Sequence, residues 1–189
     1  MVIGGSNDTH GGNLDTVDLL SFNGSLPDKL KSTNNFPVAV STAVGATLGD
    51  ESVPHVCGGG GKVSILDDGN DQGYCWAYNP QRKMWNISGQ MSEDRLFSAG
   101  ATHPDHGWVI TGRFFKSESA EQTRDGKTFQ QFTSLPHRLS HHCMVSLGKG
   151  GGRGDFFITG GRNEKRTLIY NAGAWKKMAD MPTARRGKE

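Results

Sequence analysis

The feature that most restricts what this 189-residue chain can fold into is a glycine doublet that follows two apolar or small residues and returns at a regular interval. Val2-Ile3-Gly4-Gly5, Val56-Cys57-Gly58-Gly59, Ile110-Thr111-Gly112-Arg113 and Ile158-Thr159-Gly160-Gly161 have this form, the third with Arg113 in place of the second glycine. The first glycines are 54, 54 and 48 residues apart. A spacing near ~50 residues is the signature of a repeated module. Paired glycines at the end of a strand-like run let the backbone pass where a side chain would collide.

Three further columns follow each doublet in the same order. The second is an aromatic residue before Asn: Phe22-Asn23, Tyr78-Asn79 and Tyr170-Asn171, with Thr123-Arg124 at the degenerate third copy. Strand-like runs at 16–22, 73–78 and 166–170 lead into them. The third column is a large aromatic five to seven residues on: Trp85, Phe129 and Trp175, with none in the first copy. Such a ring suits the space between neighbouring sheets. The fourth is Met or Leu followed by Arg: Met91 with Arg95, Leu135 with Arg138, Met181 with Arg185. Arg95 and Arg138 open strand-like runs at 96–103 and 139–147. Each unit thus holds about four short apolar segments between turn residues, which predicts a four-stranded antiparallel meander. Asn23-Gly24 and Asp125-Gly126 fall between the third and fourth segments, where this chemistry predicts a type I′ turn. No segment sustains a helical period, so the predicted class is all-β.

These columns resemble the kelch repeat: tandem glycine, a Tyr-containing strand, a Trp about six residues later, and an Arg that starts the next unit. The resemblance spans residues 1–186 and is strongest in the units of Gly58 and Gly160. Arg113, Thr123 and the missing Trp after Phe22 depart from it. It implies a kelch-type β-propeller, built from units at about 1–37, 38–92, 93–136 and 137–182, with 183–189 opening another blade. A glycine-rich β-sandwich is the alternative. About three complete blades plus remnants are fewer than such propellers usually hold, so a piece of a longer chain is expected, with assembly of partial rings as the other outcome.

Charge and composition exclude several classes. Lys and Arg number 21 and Asp and Glu 19, a net charge of +2, which gives no general case for nucleic acid. The longest apolar run, 38–48, is broken by Ser41, Thr42 and Gly45 and falls short of a membrane span. Gly61-Lys62 lacks the flanking residues of a phosphate loop, and 148–154 reads as a flexible hairpin loop. His141-His142-Cys143 lies in a predicted strand, where neighbouring side chains face opposite ways, and no third metal ligand is evident. His103-Pro104-Asp105-His106 reads as a turn. Copper radical oxidases also use kelch-type propellers, but Tyr78 and Tyr170 fill repeat columns here. The expectation is therefore no catalytic residue, no cofactor and no metal.

Two features bear on compartment. In a blade the strands ending at Cys57 and containing Cys75 would be neighbours, so their Cβ atoms could come within bridging distance, and the compartment signs below favour a disulfide over two buried thiols. Closing that loop is worth about 3 kcal/mol on the chain-entropy model. Asn7-Asp8-Thr9, Asn23-Gly24-Ser25 and Asn86-Ile87-Ser88 are N-glycosylation sequons. Together they make the chain similar to secreted or ectodomain kelch proteins, with Cys143 left over and a cytoplasmic location as the alternative.

The functional expectation is a protein-binding scaffold that contacts partners through the long connections at 6–15, 60–73, 114–120 and 148–155. Arg153-Gly154-Asp155 within the last is a candidate integrin-type recognition tripeptide, expected at the loop tip. An intracellular kelch adaptor for a ubiquitin ligase or actin, and an oxidase-like propeller, are the competing classes.

Overall fold

The computed structural model describes residues 36–50, 52–60, 73–114, 117–148 and 155–186, and the backbone of five short strands nearer the N-terminus. Those five are β1 (Val2–Ile3), β2 (Ser6–Asn7), β3 (Gly12–Asn13), β4 (Val17–Ser21) and β5 (Asp28–Leu30). They form a sheet in the order β1-β4-β5 and a β2-β3 hairpin. Gly4, Gly5 and the Asn23-Gly24 turn lie outside the described residues.

Three four-stranded antiparallel meanders follow. The first blade is β6 (Val44–Leu48), β7 (Val53–Cys57), β8 (Tyr74–Asn79) and β9 (Met84–Gln90). The second is β10 (Ala99–His103), β11 (Gly107–Thr111), β12 (Ala120–Thr123) and β13 (Gln130–Phe132). The third is β14 (His142–Ser146), β15 (Phe156–Gly160), β16 (Thr167–Asn171) and β17 (Ala174–Lys177). Consecutive blades pack through shared apolar clusters. Val44, Leu48, Cys57, Cys75 and Met91 of the first meet Trp108 and Ile110 of the second. Ala99, Val109, Ala120 and Phe132 of the second meet Met144, Phe156, Ile158, Leu168 and Tyr170 of the third.

The first glycine of each doublet sits where β7, β11 and β15 leave their sheets. Gly58, Gly112 and Gly160 have φ of 67°, 75° and 73°, which a side chain tolerates poorly. A Cβ on Gly58 would collide with the Arg95 carbonyl oxygen, and on Gly112 or Gly160 it would come within 2.5 Å of Leu139 O or 2.8 Å of Arg185 O. The next residue then donates its N–H to the same carbonyl: Gly59 to Arg95 (2.7 Å), Arg113 to Leu139 (3.1 Å) and Gly161 to Arg185 (3.0 Å). These bonds set the register of the repeat and correct one column. Leu139, not Arg138, occupies the place of Arg95 and Arg185; a backbone carbonyl makes the bond, so the side-chain type there is free.

A second correction concerns where the strands begin. Thr42, Phe97 and His141 each adopt a left-handed backbone, with φ of 60°, 55° and 58°. This kink holds β10 and β14 to 99–103 and 142–146, short of the runs at 96–103 and 139–147 that the apolar pattern suggests. The third concerns the Asp125-Gly126 turn. Gly126 has a φ of 67°, but Asp125 does not enter the positive region, so the turn is not type I′. Instead the Asp125 carboxylate accepts the N–H groups of Lys127 and Thr128, both at 2.9 Å, and closes a wider loop. A hairpin with positive φ at both central residues occurs at Ala172-Gly173, between β16 and β17.

The aromatic columns meet across strands. Tyr78 lies opposite Trp85 and Tyr170 opposite Trp175, with ring centroids 5.3 Å and 5.1 Å apart. Trp85 is buried against Phe36, Val38, Val40 and Trp76. Trp175 is only half-buried, and its Nε1 donates to Thr133 O at 3.0 Å.

Candidate interaction surface

Turns at one end of the first two blades enclose an open groove of about 590 Å³. Its first wall comes from His55, Tyr78, Gln81 and Asn86 of the first blade, and its second from Arg124, Asp125 and Lys127 of the second. Local chemistry positions each wall. Asn79 Oδ1 accepts the N–H groups of Gln81 (3.0 Å) and Arg82 (2.9 Å), which shapes the β8–β9 turn. His55 Nδ1 is 2.9 Å from Val53 O, and its ring lies so close to Gly126 that a Cβ there would collide with it. Ser88 Oγ donates to Gly126 O at 2.9 Å and joins the two walls.

The Asp125 carboxyl is held below its ordinary range, chiefly by the hydrogen bonds from Thr128 and Lys127. It is therefore ionised at neutral pH, and along the chain it lies between Arg124 and Lys127. The groove thus carries charges of both signs beside the apolar Ala77, Tyr78 and Ile87.

Cys57 and Cys75 are directly paired across β7 and β8, with Cα atoms 4.1 Å apart, and form a disulfide whose residues are fully buried. The bridge ties the strands beneath one wall of the groove. Asn86 of the third sequon is exposed on β9 and lines the groove itself. Asn7 of the first sequon belongs to β2, and Asn23 lies outside the described residues.

The structure corrects the placement of the tripeptide's acidic residue. Arg153 and Gly154 lie outside the described residues, but Asp155 stands at the base of the loop, not its tip. Its N–H donates to Tyr170 O and its carbonyl accepts from Leu147 N–H. The carboxylate reaches His106 Nε2 at 2.8 Å and lies 3.9 Å from His103 Nε2. That carboxylate is thus engaged by His106 while remaining partly exposed. His103 Nδ1 accepts the Asp105 N–H at 3.2 Å. No group of three His, Cys, Asp or Glu able to hold a metal ion occurs among the described residues.

Of the other repeat positions, Arg95 is buried with Glu121, while Arg138 and Arg185 are exposed. His142 is buried and its pKa is pushed down to about 4, first by burial and then by the neighbouring His141. The sequence reading missed Arg124, Asp125 and Lys127 as groove residues. The one usable signal was the Asp-Gly dipeptide, which marks a turn but not what the turn faces.

The fold is all-β and of the kelch-type β-propeller kind, with three four-stranded blades described. It resembles a solved structure, "Structure of YjhT", a kelch-repeat protein, with a TM-score of 0.69 and 11% sequence identity over 97% of this chain and 68% of that one. No protein-family model matches the sequence. No curated protein matches it either. No described helix is long and apolar enough to cross a membrane.

Proposed function

We propose that this chain is a non-catalytic protein-interaction scaffold of a secreted or ectodomain protein, which grips a partner at the groove between its first two blades. The observation that carries the reading is the rigid groove itself, whose two walls are set by Asx-type turns and joined by the Ser88–Gly126 hydrogen bond. A preset groove saves the ordering cost of binding, and its mixed charge suits recognition of a polar segment. The buried Cys57–Cys75 bridge and the exposed Asn86 sequon favour an oxidising compartment over the cytosol of an intracellular adaptor.

The test expresses the chain through the secretory route of an animal cell and screens the product against arrayed ectodomains. The reading expects a glycosidase-sensitive mobility shift reduced in Asn86→Gln, one non-titrating cysteine pair, and a partner whose binding falls at least tenfold in Arg124→Ala or Tyr78→Ala. A chain that stays fully reduced and unglycosylated overturns the extracellular assignment. A partner indifferent to both groove substitutions overturns the groove, and copper-dependent peroxide production by the purified chain overturns the non-catalytic reading.

A further inference from the structure

The third blade carries charge that the other two do not. Residues 164–186 hold six of the chain's 21 cationic side chains against two carboxylates, so this stretch stands at +4 and the rest of the chain at −2. The six are Lys165, Arg166, Lys176, Lys177, Arg185 and Arg186. Backbone pairing brings them together. Lys176 and Lys177 of β17 lie opposite Ile169 and Leu168 of β16. Beyond the strands, Met178 donates its N–H to Thr167 O at 3.0 Å, Met181 to Lys165 O at 2.7 Å and Arg185 to Glu164 O at 3.2 Å. The six cations therefore stand on two adjoining antiparallel segments at the edge of the sheet, where β17 is last in the order β14-β15-β16-β17.

The repeat does not require these charges. The last strands of the first two blades, β9 and β13, contain no Lys or Arg. The segment after β9 carries Glu93 and Asp94 where the matching segment after β17 has Thr183 and Ala184. Lysines that only guard a sheet edge against pairing would be needed most on β9, the longest of the three at 7 residues. Nor are the charges consumed internally. Arg166 Nε lies 3.3 Å from Glu164 and Lys177 Nζ 3.3 Å from Asp180, in solvent-exposed pairs that contribute little. Lys165 Nζ donates to Pro182 O at 2.9 Å. Lys176, Arg185 and Arg186 are exposed, and no ion pair engages them among the described residues. The field reaches His137, whose pKa is lowered first by burial and next by Arg166, with Lys177 acting in the same direction against Glu164 and Glu118.

We infer that this edge binds a linear polyanion, a sulfated polysaccharide chain of the cell surface or matrix. Neighbouring residues of a strand point to opposite faces, so Lys176 and Lys177 stand on the two sides of the sheet. A flat anionic membrane meets one side only, whereas a flexible chain crosses the edge and reaches both. Sulfate groups stay ionised at every physiological pH, and guanidinium and ammonium groups donate charge-assisted hydrogen bonds to their oxygens. The choice of a sulfated chain over nucleic acid rests on the extracellular assignment of the scaffold reading. The basic edge itself does not, and it lies on a different blade from the groove.

The probe is a heparin decasaccharide, with its chemically desulfated counterpart as control, titrated calorimetrically into the oxidised full chain at low salt. Heparin is expected to bind at least tenfold more tightly than the desulfated chain, and to weaken steeply as salt is added. The double variant Lys176→Ala with Arg186→Ala is expected to weaken it about tenfold, Lys176→Arg with Arg186→Lys to retain it, and Lys127→Ala in the groove to leave it within about twofold. Both edge positions are exposed, and unchanged thermal unfolding separates lost contact from lost folding. Equal binding of the two chains, or heparin binding indifferent to the double alanine variant, overturns the edge. Tighter binding to an oligothymidylate of matched charge, or to phosphatidylserine vesicles, overturns the sulfated-chain assignment. If heparin binding fails while an ectodomain partner still depends on Tyr78 and Arg124, the scaffold reading stands. If no partner is found while heparin binding is lost in the double variant, the edge stands and the scaffold reading falls.

Discussion

Three blades meet the same packing problem with different chemistry at one pair of positions. Two residues before the left-handed Thr42, Phe97 and His141 stand Val40, Arg95 and Leu139, and the corresponding position on the third strand of each blade is Trp76, Glu121 and Leu168. All six side chains are buried. The first and third blades fill the site with apolar groups, while the second fills it with an ion pair. Arg95 Nη2 lies 2.8 Å from Glu121 Oε2 and Nε 3.1 Å from the same oxygen. The guanidinium also donates to Gly112 O and Ser119 O, and Glu121 Oε1 accepts the Ser92 N–H at 2.8 Å. What the repeat preserves is therefore the geometry of the pair and not its polarity. A buried ion pair is tolerated here because its remaining hydrogen-bonding capacity is filled by neighbouring backbone.

The largest effect follows from breaking that pair on one side. Glu121→Ala should lower stability by about 3–5 kcal/mol in urea unfolding, because the Arg95 charge is left buried without its partner. The double variant Arg95→Leu with Glu121→Leu copies the third blade's solution and should recover at least half of that loss. A double variant as unstable as the single one would mean that the pair is specific to the second blade and that the three sites are not interchangeable.

The two tryptophans of the third column sharpen the same contrast between an enclosed blade and a less enclosed one. Trp85→Ala should cost about 3–5 kcal/mol, since the indole is buried in an aromatic cluster with Phe36 5.1 Å away. Trp175 is half-buried, and Trp175→Phe should cost only about 1 kcal/mol, the worth of its hydrogen bond to Thr133 O. Equal costs in thermal unfolding would show that the two rings occupy equivalent environments in solution.

At the register pair beside the glycine doublet, the first blade has Cys57–Cys75, the second Thr111–Ala120 and the third Thr159–Thr167. Neither of the latter needs a covalent tie. Replacing the cystine by the second blade's residues, Cys57→Thr with Cys75→Ala, should cost about 3 kcal/mol, mostly through the freed loop between them. A loss below ~0.5 kcal/mol would mean that the sheet alone holds the first blade.

Comparing the blades also explains what was readable in advance. The glycine column was legible because a carbonyl oxygen stands where any Cβ would be, so one residue type is imposed at Gly58, Gly112 and Gly160. The left-handed column of Thr42, Phe97 and His141 was not, because the chain fills it with three unrelated side chains and no glycine or asparagine. Arg138 was misaligned for a related reason: the backbone of Leu139 makes the repeating bond, and backbone atoms leave no mark on residue identity. The Cys57–Cys75 bridge was legible from topology. The groove was not, since it draws its walls from two blades far apart in sequence.

His142 offers the last contrast. It follows the left-handed residue in the third blade, where the first and second blades have Ala43 and Ser98. Its Nε2 lies 2.9 Å from Thr111 Oγ1 of the second blade, and its buried Nδ1 has no hydrogen-bond partner. A proton added there would have no acceptor, which agrees with a pKa pushed down to about 4. In the unfolded chain the ring titrates near ~6.5, so between these values the unfolded state binds the extra proton and the folded state does not. The stability His142 confers is thus fully present above the unfolded pKa and is lost as pH falls. From pH 7 to pH 5 the loss should be about 2 kcal/mol. His137, whose pKa burial also lowers, adds a change of the same sign. Urea unfolding of His142→Gln across this range should show a clearly shallower slope, whatever the variant's absolute stability. An unchanged slope would mean that His142 is hydrated in solution and that the junction between the second and third blades is looser than the junction before it.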